Sequence, residues 1–314
     1  MAKVLITDGV HQLLITGLED RNYEVDYQPN IKLDEVHAII SDYEGIIINT
    51  KTVIDRSLLD KATQLKFIGR LGSGLEIIDL EYTKEKGVYC FNTPEGNRNA
   101  VAEHALGLIL NLFNNINISA NEVASAVWNR EENRGEELEG KTVGIIGYGN
   151  TGQSFAKKLR GFDVEVLGYD KFKSNFGNEF VKEVQLEEIY KKADVLSLHL
   201  PLTDDTFNWL DEVRINRFEK DFYLINTSRG KVLKQADLLK YLQKSKILGA
   251  GLDVLENEKL ATFDKAEKYV FEGLNSLKNV IITPHIAGWT HQSKLKIAQV
   301  ILDNIDRHNV EETL

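Results

Sequence analysis

The sequence predicts an α/β protein of two doubly wound parallel-sheet domains with a cleft between them. Three observations carry that reading. Short β-rich runs alternate with helix-length amphipathic segments along the whole chain, the pattern of parallel strands joined by helices. The runs fall into two blocks, five in the first and six in the second. The 314 residues also exceed what one core usually serves, since single cores stop growing near ~250–300 residues.

In the first block the strand-like runs are 4–7, 23–27, 45–49, 65–69 and 88–92, with helical segments between them such as 58–63. From 97 to 127 apolar residues recur at helical spacing without a proline, which predicts one long helix crossing between the domains. A polar, Glu-rich stretch at 129–140 leads into the second block, with runs at 142–147, 164–169, 193–200, 222–226, 248–252 and 280–283. A last helical segment, 290–307, is placed to return to the first domain. The first domain is therefore predicted to be discontinuous, 1–98 plus 290–314, with 99–289 inserted. Three of the four prolines, Pro94, Pro201 and Pro284, directly follow strand-like runs. Proline ends a ladder and sets a turn, and ligands of open α/β sheets bind at the carboxyl ends of strands.

Composition narrows the function classes. A formal charge of −10 argues against a nucleic acid partner, which calls for a basic face. Cys90 is the only cysteine, so there is no internal disulfide and no Cys-rich metal site, and no metal is expected. No signal-peptide core precedes the first run, and no apolar run reaches membrane-spanning length. A cytoplasmic enzyme with no membrane partner is expected.

In the second block, the run 142–147 leads into Gly147-Tyr-Gly-Asn-Thr-Gly152, a helix-like segment follows, and the next apolar run closes on Tyr169-Asp170. This is the layout of a Rossmann dinucleotide-binding unit. Gly147 allows the tight turn, Gly149 lets backbone amides approach a pyrophosphate, and Gly152 lets helix pack on strand. Tyr148, Asn150 and Thr151 complete the loop, whose phosphates belong at the helix N-terminus. Asp170 stands 18 residues after Gly152, close to where a ribose-binding acid is expected. The bare glycine pattern is weak; strand, helix, strand and acid together make it specific.

Later strand ends supply the candidate chemistry. Asn226-Thr-Ser-Arg-Gly230 puts Arg229 beyond an apolar run. A guanidinium matches a carboxylate bidentately, although an arginine in such a turn is as often a plain surface residue. Thr283-Pro-His285 presents an imidazole, the usual group for reversible proton transfer near neutral pH, though most histidines serve no catalysis. Glu258 follows the strand-end Asp253. A carboxylate beside an imidazole favours the imidazolium and orients the ring, while Glu256 and Glu258 can equally be solvated loop charges. In the first block, Gly69-Arg-Leu-Gly-Ser-Gly74 looks like a phosphate cradle, yet no Lys-Ser/Thr follows and the P-loop reading fails. Its amides can hold a substrate carboxylate, or it is only a flexible turn.

Together these residues resemble the D-isomer-specific 2-hydroxyacid dehydrogenases over essentially the whole chain. The matching segments are 69–74 with Ile78-Asp79, Asn92-Thr-Pro94, Ala100-Val-Ala-Glu-His-Ala105, Trp128 with 137–142, the glycine loop, His199-Leu-Pro201, 226–230, 252–258 and 283–288. The resemblance implies a flavodoxin-like substrate domain built from both termini, a Rossmann NAD domain between, and a homodimer formed around the NAD domains. It implies Arg229, Glu258 and His285 as the catalytic set. His285 gives its proton to the keto oxygen as hydride arrives, Glu258 holds the imidazolium, and Arg229 grips the α-carboxylate with the amides of Ser73 and Gly74. His199, Pro201, Thr227 and Ser228 join the glycine loop around NAD, Asp253 meets the carboxamide and Asp170 the ribose. A free acid at 170 repels a 2′-phosphate and so favours NAD over NADP, with Lys171 beside it.

Within the family the nearest likeness is to the phosphoglycerate dehydrogenases, with Arg70 and Arg130 (in its own or a neighbouring subunit) placed to face a substrate phosphate. Asn49-Thr50 departs from the family's Arg-Ser and removes a cation there. Lys259 follows Glu258 where proline is usual. The chain ends at Leu314, so the C-terminal regulatory domain of the longer serine-pathway enzymes, and feedback by serine, are not expected. The expected activity is an NAD-dependent D-2-hydroxyacid dehydrogenase or 2-ketoacid reductase acting on a small 2-hydroxy or 2-keto acid. The first candidate substrate is 3-phosphoglycerate, and the second activity is glyoxylate or hydroxypyruvate reduction. A rival of another class is an NAD-sensing, corepressor-like interaction protein, since such relatives can keep the same triad.

Overall fold

The computed structural model describes residues 1–311. They divide into two compact units, Met1–Arg98 with the segment from Trp289 onward, and Asn99–Gly288. The return falls one residue before the predicted position. The final helix, His291–Glu311, opens on a reciprocal cap in which the Ser293 N–H donates to Thr290 Oγ1 (3.0 Å) and the Thr290 N–H to Ser293 Oγ (2.9 Å). Such a cap satisfies orphan donors of the first turn, and Trp289 directly precedes it.

The first unit holds a parallel sheet of β1 (Ala2–Ile6), β2 (Tyr23–Tyr27), β3 (Gly45–Ile48), β4 (Phe67–Arg70) and β5 (Tyr89–Phe91), in the order β2-β1-β3-β4-β5. Central β3 is buried throughout and reads as an unbroken apolar run, Gly-Ile-Ile-Ile, as a strand covered on both faces must. The final helix packs here. Its Ala298, Ile301, Leu302 and Ile305 are buried with Val4, Ile6, Leu14 and Leu18. Gly17 lies so near Leu302 that a Cβ there would collide with the leucine side chain.

The second unit holds β6 (Thr142–Ile146), β7 (Glu165–Tyr169), β8 (Val181–Glu183), β9 (Val195–Leu198), β10 (Phe222–Asn226), β11 (Ile247–Leu252) and β12 (Val280–Ile282). The sheet is wholly parallel, in the order β12-β11-β10-β9-β6-β7-β8. The winding reverses between β6 and β9, which is where open α/β sheets form ligand crevices. Six strands were expected here and there are seven. The extra one, β8, is a three-residue edge strand whose Lys182 and Glu183 are exposed, so no apolar alternation marks it.

The predicted long helix is two helices, Pro94–Phe113 and Ile116–Ala124. Asn115 breaks it with φ +51°, a left-handed conformation that asparagine tolerates better than most residues. The Asn111 side chain then accepts the N–H of Asn117 at 2.9 Å, supporting the restart. Pro94 does more than end a strand: it opens the first helix, where its missing N–H costs nothing. No helix among the described residues is long and apolar enough to cross a membrane.

Candidate functional site

The glycine loop sits at the reversal of the second sheet. Gly147 has φ +90°, and a Cβ there would strike the carbonyl oxygen of His199. Gly152 lies against the carbonyl of Gly147 with equally little room, so helix Asn150–Lys158 packs directly on the loop. Gly149 faces open space, and no side chain caps the helix start. Of the other loop residues, Tyr148 turns its ring away to stack on Phe176 (centroids 4.3 Å apart) and is 6% exposed, so its contribution is backbone only. Its N–H donates to Asp170 Oδ2 at 2.8 Å. Asp170 also accepts the N–H groups of Phe172 (2.9 Å) and Lys173 (3.0 Å), which hold the acid at the end of β7 beside Tyr169. Lys171 is turned aside to Asp205 at 2.6 Å, while the Lys173 ammonium is the one that reaches back to the Tyr148 carbonyl (3.5 Å).

After β9, the ring of His199 is a core group rather than a ligand-facing one. It is buried beside Phe155, its Nε2 lies 2.9 Å from Ser197 Oγ, and burial pushes its pKa down to about 3. Its carbonyl oxygen fills the space that a side chain at Gly147 would need. Pro201 is exposed, and its carbonyl accepts the Thr206 hydroxyl at 2.6 Å.

After β10, fully buried Asn226 builds the turn. Its Oδ1 accepts the Ser228 N–H (3.1 Å) and hydroxyl (2.8 Å), and its Nδ2 donates to the Arg229 carbonyl (3.1 Å). Arg229 Nη1 donates to the Ser228 carbonyl at 2.8 Å. Gly230 is pressed on the carbonyl of Leu255, a contact no side chain could survive. The turn that carries Arg229 is thereby seated on the loop that carries Glu258. Thr227 Oγ1 is buried with no hydrogen-bond partner among the described residues.

The two loop glutamates, open to one reading from sequence, part company. Glu256 folds inward, accepts the Gln235 N–H and has its pKa raised by burial. Glu258 faces His285, with both carboxylate oxygens 3.0 Å from Nδ1 and both side chains 45% exposed. His285 stands just beyond β12 at φ +55°. With Nδ1–H given to the carboxylate, Nε2 becomes the nitrogen that exchanges a proton. Asp253 is 1% exposed. Its Oδ1 accepts the Thr283 hydroxyl (2.5 Å) and the Ile286 N–H (2.9 Å), and its Oδ2 the Ala287 N–H (2.7 Å). The carboxylate expected at a carboxamide is here engaged by the turn around His285.

In the first unit, the Asn49 N–H donates to Asp8 Oδ2 (2.9 Å), and Arg70 Nη1 to the Leu71 carbonyl (2.8 Å). The Ser73 hydroxyl donates to Asn97 Oδ1 at 3.1 Å, and its carbonyl accepts Asn92 Nδ2 at 2.5 Å; Gly74 follows in the same turn. Arg130 lies exposed in the loop after helix Ile116–Ala124. Sequence reading passed over Asn226 and Thr283 as builders of their turns, and over His104, whose Nε2 lies 3.0 Å from Thr283 Oγ1. Asn226 and Thr283 were legible as strand-end polar residues; His104 lies in the matching segment Ala100–Ala105, but nothing local to that helix shows that its ring meets Thr283.

The family model described as D-isomer specific 2-hydroxyacid dehydrogenase, NAD binding domain, matches residues 106–287. A glyoxylate reductase of Pyrococcus furiosus is 32% identical over 96% of this chain and 91% of its own. A D-3-phosphoglycerate dehydrogenase of Archaeoglobus fulgidus is 30% identical over 96% of this chain, which spans only 56% of that relative's length. Among solved structures, a D-lactate dehydrogenase from Aquifex aeolicus complexed with NAD and lactic acid superposes with TM-score 0.86 at 28% identity, covering 99% of this chain and 96% of that one.

Proposed function

The chain belongs to the D-isomer-specific 2-hydroxyacid dehydrogenase family, and from that premise we propose that it is an NAD-dependent oxidoreductase interconverting small 2-keto and D-2-hydroxy acids. The observation that carries the reading is the His285–Glu258 pair, a carboxylate on Nδ1 at 3.0 Å with Nε2 left for substrate. The second unit fits the cofactor. Gly149 leaves open space where a pyrophosphate would approach, and Thr227 keeps a buried hydroxyl with no hydrogen-bond partner among the described residues. Gly147 to Gly152 and the start of helix Asn150–Lys158 would hold the phosphates, and Asp170 the ribose. Bound NADH supplies the hydride.

The protein's own groups do the rest. His285 carries a proton on Nε2 and passes it to the keto oxygen as the carbonyl carbon is reduced, and takes it back in oxidation. Glu258, on Nδ1, holds the ring in one orientation. Arg229, held by Ser228 at the end of β10, pairs its planar fork with the α-carboxylate, and Ser73 and Gly74 lend amides. 3-Phosphoglycerate is the first candidate substrate, with Arg70 and Arg130 as phosphate partners. Uncharged Asn49 favours a second reading, glyoxylate or hydroxypyruvate reduction.

The protein acts as a homodimer through its NAD domain. Helix Ile116–Ala124 buries none of its residues within the chain, and Ile116, Val123 and the 79% exposed Trp128 await cover. A single, partly buried cysteine supports a cytoplasmic home.

The test is NADH oxidation with 3-phosphohydroxypyruvate, glyoxylate, hydroxypyruvate and pyruvate. One of them should turn over, and His285→Ala should lower its kcat by ~10²–10⁴, the range for loss of a general acid–base. No turnover with any ketoacid sinks the enzyme reading in favour of a sensor.

A further inference from the structure

Behind the proton-transfer pair stands a second histidine with no role in the proposal so far. His104 lies within helix Pro94–Phe113, its side chain 22% exposed. Its Nε2 is 3.0 Å from Thr283 Oγ1, and that hydroxyl is 2.5 Å from Asp253 Oδ1. A hydroxyl has one hydrogen, and a carboxylate only accepts. Thr283 therefore gives its hydrogen to Asp253 and accepts one from His104, which places a proton on His104 Nε2.

The line ends on the carboxylate that ties down the turn around His285. Asp253 takes the N–H groups of Ile286 and Ala287 on its side chain, and its backbone carbonyl takes the N–H of His285 at 2.8 Å. His285 itself sits at φ +55°. A left-handed conformation is unfavourable for a residue that bears a side chain, so it persists only where its surroundings hold it.

We infer that His104 is a positioning residue for the reaction, acting through Thr283 and Asp253 to fix the turn that aims the His285 ring. The inference rests on the role proposed for His285, and its test separates the two. Long-range ¹H–¹⁵N spectra read histidine tautomers directly, and loss of one signal in His104→Gln assigns it. The Nε2–H form is expected; the Nδ1–H form overturns the relay whatever the enzyme reduces.

Kinetics with the best ketoacid supplies the second arm. His104→Leu should lower kcat about tenfold, the size of one net hydrogen bond, with KM for the ketoacid within about twofold. His104→Gln, whose amide can donate to the same hydroxyl, should stay within about threefold of the parent. Thr283→Val, which cuts the line without touching the helix and also takes the hydroxyl from Asp253, should lower kcat at least as much as His104→Leu, and stands in for it if thermal melts show that the leucine variant does not fold. A parental kcat in Thr283→Val, or a glutamine variant as slow as the leucine one, refutes the proposal. If the parent reduces no ketoacid, the functional reading fails while the tautomer still decides the relay.

Discussion

Asp170 and His199 illustrate how one residue's surroundings set what it can do. Asp170 is held by three backbone N–H groups, and the neighbouring Lys171 is engaged by Asp205. Lys171 therefore does not neutralise the charge proposed to meet the ribose, and Lys173 reaches back to the loop. Asp170→Ala should weaken the preference for NAD over NADP, measured as the ratio of kcat/KM values; an unaltered ratio assigns the preference to another residue. His199 works by being neutral. Its folded pKa of about 3 lies below its unfolded value of 6.5, so between these values the unfolded chain binds the extra proton. The resulting stability is fully present above pH 6.5 and is lost as pH falls from there toward 3, by up to about 1.4 kcal/mol per pH unit. NMR should find the His199 ring resonance flat from pH 7 to about 4.5; a midpoint above pH 5 would contradict its burial.

At the scale of elements, the breaks matter as much as the runs. The helical periodicity of 97–127 was legible, but not its interruption, because a polar Asn114-Asn115 pair on an exposed face looks the same in a straight helix as at a left-handed break. Asn115→Ala should cost up to about 1 kcal/mol, because alanine keeps the Cβ in the left-handed region and loses the local hydrogen bonds by which asparagine tolerates it, while Asn115→Gly should be neutral or stabilising. Urea titrations of the two variants decide it, and equal stabilities would mean that the break is not strained. The same reasoning explains β8. Three residues with two exposed charges carry no period, and only pairing with β7 makes them a strand. The strands that bear the site were visible because parallel strands covered on both faces need uninterrupted apolar runs.

For the whole molecule, the proposed dimer follows from what the second unit leaves uncovered. Light scattering should give twice the chain mass, and Val123→Glu, which sets a charge on that apolar helix face, should shift it toward the monomer. A monomeric parent would remove this part of the proposal. Much of the architecture could be read from the chain alone: the two blocks, the return of the last helix, the glycine loop with its acid, and the strand-end positions of Arg229 and His285. Each depends on local spacing, on apolar period, or on a turn that only glycine or proline permits. Tertiary structure alone decided the rest. It chose Glu258 over Glu256 as the partner of His285, put the His199 ring in the core, spent the Asp253 carboxylate on a turn, and brought His104 to Thr283. Those outcomes rest on hydrogen bonds and burial between residues far apart in sequence, and no local pattern records which buried donor will meet which acceptor.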